Sequence, residues 1–188
     1  MLFLGNFTRI NRSKPFKFGS HECVSAGILF YRFNEEKEVE YLFQYKSDKK
    51  GKIWRYEDLG GKHDRKDNSV EEIAAREAAE ETNSVFVTHL MNKESMNRVE
   101  YVDIVSTCKD YIMKLIDIKS ISLINPKSKY VLYIVHLPNN INYDFGTTEI
   151  HPKYNITRYI NWMTLKEIRK KKYTEFHPRI RTFIKFLS

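Results

Sequence analysis

The chain has 188 residues, of which 41% are hydrophobic, 14% aromatic and 30% charged, with seven glycines and five prolines; this supports one packed core and excludes collagen-like and low-complexity chains. The 32 lysines and arginines against 24 aspartates and glutamates give a net charge of +8, which favours an anionic partner, and the longest apolar run, 130–137, is too short for a bilayer span, so no membrane association is expected. Cys23 and Cys108 lie far apart without CxxC spacing, which predicts no disulfide framework and no cysteine zinc site, and a reducing, cytoplasmic or nuclear location.

Residues 1–21 read as an N-terminal extension and 22–188 as a single domain. From Glu22, ECVSAGILFYRF, the polar NEEKEVE and then YLFQYK have the pattern of a β-hairpin. IWRYEDL is a third strand and ends at Gly60-Gly61, a pair that marks a tight turn or a backbone that something approaches closely. After the polar KHDRKDN, Ser69 and Glu72 form an S-x-x-E capping box for a helix running to about Thr82, favoured by Ala74, Ala75, Ala78 and Ala79 and closed by Asn83, which tolerates the left-handed conformation.

Beyond the helix, SVFVTHL reads as a strand, VEYVDIV as a further strand and Lys109 to Ile116 as a short helix. YVLYIVHLP is a buried strand, NNINYDFGTTEIHPKYN a turn-rich loop and ITRYINWM another strand. Thr164 and Glu167 form a second capping box for the basic helix TLKEIRKKKY, and HPRIRTFIKFL closes the chain with apolar residues at helical spacing.

Glu77, Glu80 and Glu81 stand at i, i+3 and i+4, within an arc of about 100° on one helix face. The place four residues after Glu77 is taken by another glutamate, a pairing that weakens an isolated helix by roughly 0.2–0.5 kcal/mol. Clustered carboxylates suit hard cations such as Mg²⁺; taken alone, REAAEE fits a solvated acidic face as well. Arg76 likewise has Glu72 four residues before and Glu80 four after, so a helix-surface ion pair accounts for it too.

The stretch GGKHDRKDNSVEEIAAREAAEETN resembles the Nudix box, G-x5-E-x7-REU-x-EE-x-G-U, in which U is a bulky aliphatic residue. Arg76, Glu77, Glu80 and Glu81 match in order and spacing, Gly61 matches the opening glycine, and Gly60 precedes it as usual. Asp67 stands at the first glutamate of the pattern, but eight residues rather than seven separate it from Arg76; Ala78 and Ser84 are smaller than the pattern expects, and Asn83 replaces a glycine.

The resemblance covers most of 22–187 and implies an α+β fold, an α/β/α sandwich around a mixed sheet. It also implies a Mg²⁺- or Mn²⁺-dependent hydrolase of a diphosphate linkage in a nucleoside-diphosphate-linked substrate. By the same resemblance Glu80 and Glu81 would be the main metal ligands with the Gly60 carbonyl a further one, Glu77 would bind metal or orient the attacking water, and Arg76 would hold the glutamates through a salt bridge. Glu149 is the candidate general base from a later loop, ahead of Glu94 and Glu100.

Lys62, His63 and Arg65 are candidates for phosphate contact. Trp54, Tyr56 and Tyr143 are candidates for stacking on a base, with core packing as the alternative for each. His136 and Cys108 read as core residues. Some viral and eukaryotic Nudix enzymes remove the mRNA cap, and 91–129, the basic helix and the small size are similar to a compact member of that group. Diphosphoinositol polyphosphates fit the charge equally well, and ADP-ribose and free nucleotides are further alternatives. A different class of function is an RNA-binding module built on Arg169–Lys172 with Lys166, Tyr173, Phe176 and Phe183, for which a solvated helix face is the alternative.

Overall fold

The computed structural model describes residues 15–47, 52–88, 101–138, 143–145 and 158–187. Its centre is a mixed sheet. β3 (Ser25–Phe33) runs parallel to β8 (Tyr130–His136), which pairs with the antiparallel β7 (Ser120–Asn125). On the other edge of β3 the sheet forks. β4 (Val39–Ser47) pairs with β3 only over Val39–Tyr41, and into the gap beyond runs a bent strand. Its first half, β5 (Trp54–Glu57), pairs with β4, and its second half, β6 (Leu59–Lys62), pairs with β3, with Asp58 at the bend. β9 (Arg158–Thr164) completes the outer edge of β4.

Helices cover both faces, so the expected α+β architecture with a mixed sheet is present. On one face α1 (Val70–Glu81) and α3 (Tyr101–Lys119) pack over Ile28, Phe30, Leu42, Val131 and Tyr133. On the other, α4 (Leu165–Lys170) and α5 (Pro178–Leu187) bury Ile168, Ile180 and Phe183 against Leu29, Phe43 and Leu132. No helix among the described residues is long and apolar enough to cross a membrane. Within the expected N-terminal extension, β1 (Phe16–Phe18) pairs with β2 (His21–Cys23), and Phe16 and Phe18 pack against the α1 side of the core.

α1 forms as its sequence predicts. The Ser69 side chain accepts the Glu72 N–H at 3.1 Å, and Ala74, Ala75, Ala78 and Ala79 let the helix lie close to β3 and β6. The capping box is only half realised, because the Glu72 carboxylate accepts from the Asn68 backbone at 3.1 Å instead of from Ser69. Asn83 and Ser84 both take positive φ, 53° and 55°, which ends α1.

Three expectations are corrected. SVFVTHL is not a strand over its described part; Val85–Thr88 is a short helix, α2, entered from the two left-handed residues, with Val85, Phe86 and Val87 all buried. A short apolar run buried on every side carries no period to separate strand from helix. VEYVDIV is not a strand over its described part either: α3 runs unbroken over Tyr101–Lys119 and buries Cys108, Ile112 and Ile116 at i, i+4 and i+8. Its β-branched residues favour a strand, but the helical period of its buried face decides. Finally, the basic helix expected over 164–173 stops at Lys170, since Lys171 is extended, and a single 3-10 turn follows at Tyr173–Glu175.

Candidate active site

Arg76 organises the loop before α1. Its Nε and Nη2 donate to the two Asp67 carboxylate oxygens at 2.9 and 3.0 Å, its Nη1 to Glu77 at 3.0 Å and Glu80 at 3.1 Å, and its Nη2 also to the Lys62 carbonyl at 2.9 Å. These contacts engage every N–H of the guanidinium. A planar fork meeting a carboxylate on two edges fixes orientation as well as charge. The eight-residue spacing between Asp67 and Arg76 is therefore compatible with direct contact. Asp67 is buried and accepts the Asp64 N–H at 2.7 Å, which pins the loop to the helix. Of the two glutamates flanking Arg76 at helical spacing, Glu80 pairs with it, whereas Glu72 turns to Asn68.

The glycine pair is required by close approach. A Cβ on Gly61 would overlap the Glu77 carboxylate, and one on Gly60 would overlap the backbone of Gly27 and Ala26 and the Tyr130 hydroxyl. The Gly60 N–H donates to Glu81 Oε2 at 2.8 Å, so β6 and α1 are joined at their polar faces.

Glu81 is 5% exposed and takes four donors. Gln44 Nε2 reaches its Oε2 at 2.6 Å beside Gly60, while Lys46 Nζ and Arg158 Nη1 lie 3.0 and 3.2 Å from its Oε1. Burial opposes its charge, but the Lys46 ammonium, with Arg158 and Arg179, more than offsets this and holds the carboxyl below its usual range. Glu77 behaves differently. Burial, the Glu81 charge and the Glu80 charge outweigh Arg76, and its carboxyl is pushed up to about 7.

Behind Glu81, in the fork of the sheet, lies a second polar group. Asp58 is fully buried; Arg179 of α5 donates from Nε to its Oδ1 at 2.9 Å and from Nη2 to its carbonyl at 3.0 Å, and the Tyr130 hydroxyl donates to its Oδ2. Gln44 Nε2 also donates to the Asp58 carbonyl at 2.7 Å, linking this group to Glu81. Burial raises the Asp58 carboxyl despite Arg179.

The carboxylates suit a hard divalent cation in chemistry: they are oxygen donors on one helix face, and Glu77 carries charge that its neighbours leave undercompensated. As the side chains stand, no group of three His, Cys, Asp or Glu among the described residues is close enough to hold a metal ion. Glu77 and Glu80, which share one arginine nitrogen, are the less encumbered donors, while Glu81 is already surrounded.

The remaining candidates divide. Lys62 is exposed at the end of β6, and its carbonyl, not its ammonium, contacts Arg76. His63 packs its ring 4.5 Å from Phe16, and Arg65 is exposed in the loop. Trp54 and Tyr56 are not brought to the carboxylates. Strand alternation turns them to the α4–α5 face, where they stack with Tyr45, and Tyr56 also meets Phe176. Tyr143 packs on Phe86 and Phe145, and His136 lies beside Tyr31 and Phe33. Cys108 is fully buried, and so are Phe176 and Phe183 of the expected RNA-binding surface. Glu149, Glu94 and Glu100 lie outside the described residues.

No protein-family model matches the chain, and no curated protein does. Similar solved structures include a C. elegans Ap4A hydrolase in a binary complex (19% identity, 87% of this chain and 97% of that one, TM-score 0.41). Two others are named as Nudix hydrolases: RenU from M. smegmatis (14%, 91% and 86%, TM-score 0.41) and a protein from Alicyclobacillus acidocaldarius (14%, 90% and 91%, TM-score 0.47). With TM-scores below 0.5 and identities below 20%, they are likenesses only.

Proposed function

We propose that the chain is a divalent-metal-dependent hydrolase of Nudix type, acting on a diphosphate linkage in a nucleoside-diphosphate-linked substrate. The observation that carries this reading is the Arg76 fork. One side chain ties Asp67, Glu77, Glu80 and the Lys62 carbonyl into a rigid unit facing the glycine pair, which far exceeds the ion pairing of an ordinary acidic helix face.

Glu77 and Glu80, with Glu81 and the Gly60 carbonyl, would hold Mg²⁺ or Mn²⁺. Such an ion neutralises a diphosphate and lowers the pKa of water. The chain's own part is positional. Arg76 fixes the two carboxylates, Glu77 would orient a water, and Lys46 and Arg158 balance the charge of Glu81. Glu149 is the candidate base.

Among substrates, an mRNA cap is the narrower reading, supported by the net charge of +8. ADP-ribose and diphosphoinositol polyphosphates are the alternatives. The expected support from 91–129 is weaker than the sequence suggests, because α3 packs on α1 as part of the core.

Glu80→Gln is the test variant. Glu80 contacts Arg76 from a position with 21% of its side chain exposed, more open than Glu81, so its replacement should leave the fold intact, whereas Glu81→Gln also breaks a buried charge cluster. With capped RNA, ADP-ribose, dinucleoside polyphosphate and diphosphoinositol polyphosphate in Mg²⁺ and then Mn²⁺, turnover by the parent should fall at least ~10²-fold in the variant, about 2.7 kcal/mol in the barrier. Equal rates in both proteins at saturating metal would remove the assignment.

A further inference from the structure

The α4–α5 face of the sheet carries an aromatic surface that the carboxylate site does not use. Tyr159 of β9, Tyr45 of β4, and Trp54 and Tyr56 of β5 project to the same side, since the residues beside them (Arg158, Lys46 and Arg55) alternate to the other. Their rings are tilted by only 32–36° to one another: Trp54 to Tyr159 at 5.8 Å, Tyr45 to Trp54 at 5.2 Å and Tyr45 to Tyr56 at 4.6 Å between centroids. Many core pairs meet edge to face, as Phe30 and Phe86 do at 63°. Tyr159 is 46% exposed, although four large aromatics this close would gain more from burial.

Cations surround the rings. Lys171 Nζ lies 4.9 Å over the Tyr56 ring, and a cleft of about 540 Å³ next to it is lined by Tyr56, Asn161, Trp162, Met163, Glu167, Lys170 and Lys171. Glu167 Oε2 accepts from the Thr164 N–H at 2.8 Å and from its hydroxyl at 3.0 Å, which holds this carboxylate to the start of α4. From 166 to 172 the chain carries five cations and this one acid. Further along, Arg181 and Lys185 stand 5.6 and 5.8 Å over the ring of the half-exposed Tyr173.

We infer that this surface binds single-stranded nucleic acid, with bases stacked on Trp54 and Tyr159, the Asn161 amide facing base edges in the cleft, and Lys170 and Lys171 on the phosphates. Rings tilted by no more than 36° to one another present π-faces that every base can use, and adjacent ammonium groups follow a phosphate backbone. An acidic peptide would use the lysines but leave the rings idle. The site lies on the opposite face of the sheet from Glu77, Glu80 and Glu81, and it stands independently of any hydrolytic activity.

The test is fluorescence anisotropy of a labelled oligouridine with the full chain, against poly-glutamate as competitor. Trp54→Ala and Tyr159→Ala should each weaken binding at least ~5-fold, while Trp54→Phe, which keeps a π-face, should stay within ~2-fold of the parent. Lys170→Gln with Lys171→Gln should lower the salt slope by about 0.7 for each phosphate no longer neutralised. If Trp54→Ala unfolds, Tyr159→Ala decides, since its ring is half exposed and its removal leaves the core unchanged. Parental affinity in Tyr159→Ala, equal competition by poly-glutamate, or no binding by the parent at about 50 mM salt, where screening of the phosphates is weak, would each overturn the inference. The assay requires no turnover, so failure of the hydrolase reading leaves its outcome interpretable.

Discussion

Glu77 and Glu81 stand one turn apart on α1, both are largely buried, and their carboxyls shift in opposite directions. Burial raises both; what differs is the company. Glu81 faces two cations within about 3 Å and a third, Arg179, behind the sheet fork, whereas Glu77 shares its single arginine with Asp67 and Glu80. On one helix, then, compensation rather than depth decides which carboxylate is settled and which remains poised to take a cation or a proton.

The largest effect that would break this contrast is expected from Lys46→Met, which removes a cation shared by Glu81 and Glu57. Urea denaturation at pH 7 should show a loss of about 3 kcal/mol, the low end for an opened buried ion pair because Lys46 is partly exposed. Adding Glu81→Gln should recover part of it. Full additivity of the two changes would mean that Lys46 does not balance Glu81.

Gly61→Ala addresses the other carboxylate. Its methyl would occupy the space of the Glu77 carboxyl, so a loss of about 2 kcal/mol is expected from overpacking, shrinking to below about 0.5 kcal/mol in a Glu77→Ala background. The same penalty in both backgrounds would place the clash elsewhere.

The smallest effect sharpens the contrast through pH. A carboxyl raised in the folded state is less stable when ionised, so Glu77 should cost stability as pH rises from its ordinary value to about 7, and cost nothing below. In chelator-treated protein, Glu77→Gln should therefore be more stable than the parent by about 1–2 kcal/mol at pH 8, a discounted figure because the side chain is partly exposed, and equal to it at pH 4. Glu81 has the reverse sign: its depressed carboxyl contributes stability above its ordinary range, lost as the pH falls through its lowered value. A Glu77→Gln variant equal to the parent at both pH values would show that the charge there is already balanced.

How much of this is legible in the sequence follows from distance along the chain. α1, its Ser69 cap and the spacing of Arg76, Glu77, Glu80 and Glu81 are local, and the helical period orders them on a face. Asp67 needs the structure, since the extra residue before Arg76 obscures its alignment and only the fork shows that they meet. The donors to Glu81 cannot be read at all. Gln44 and Lys46 sit on a strand 37 and 35 residues away and Arg158 on another 77 residues away, and nothing in their own segments marks them beyond alternation. Trp54 and Tyr56 are legible as aromatics, but which sheet face they take depends on a register that only pairing fixes. α3 departs from its expected form because residue preference and burial period disagree there, and the period prevails.

The Arg179–Asp58 ion pair has a consequence for biosynthesis. Its partners are 121 residues apart, so as the chain emerges from the ribosome the bent strand and α1 are complete long before the guanidinium that neutralises Asp58 is made. Until then a nascent sheet would have to bury an uncompensated carboxylate at its fork, which is unfavourable enough to keep the fork open. The final assembly of the carboxylate face therefore waits for α5, and ribosome-bound chains halted before Arg179 should expose Gly60 and Glu81 to protease, while chains extended past Leu187 should protect them.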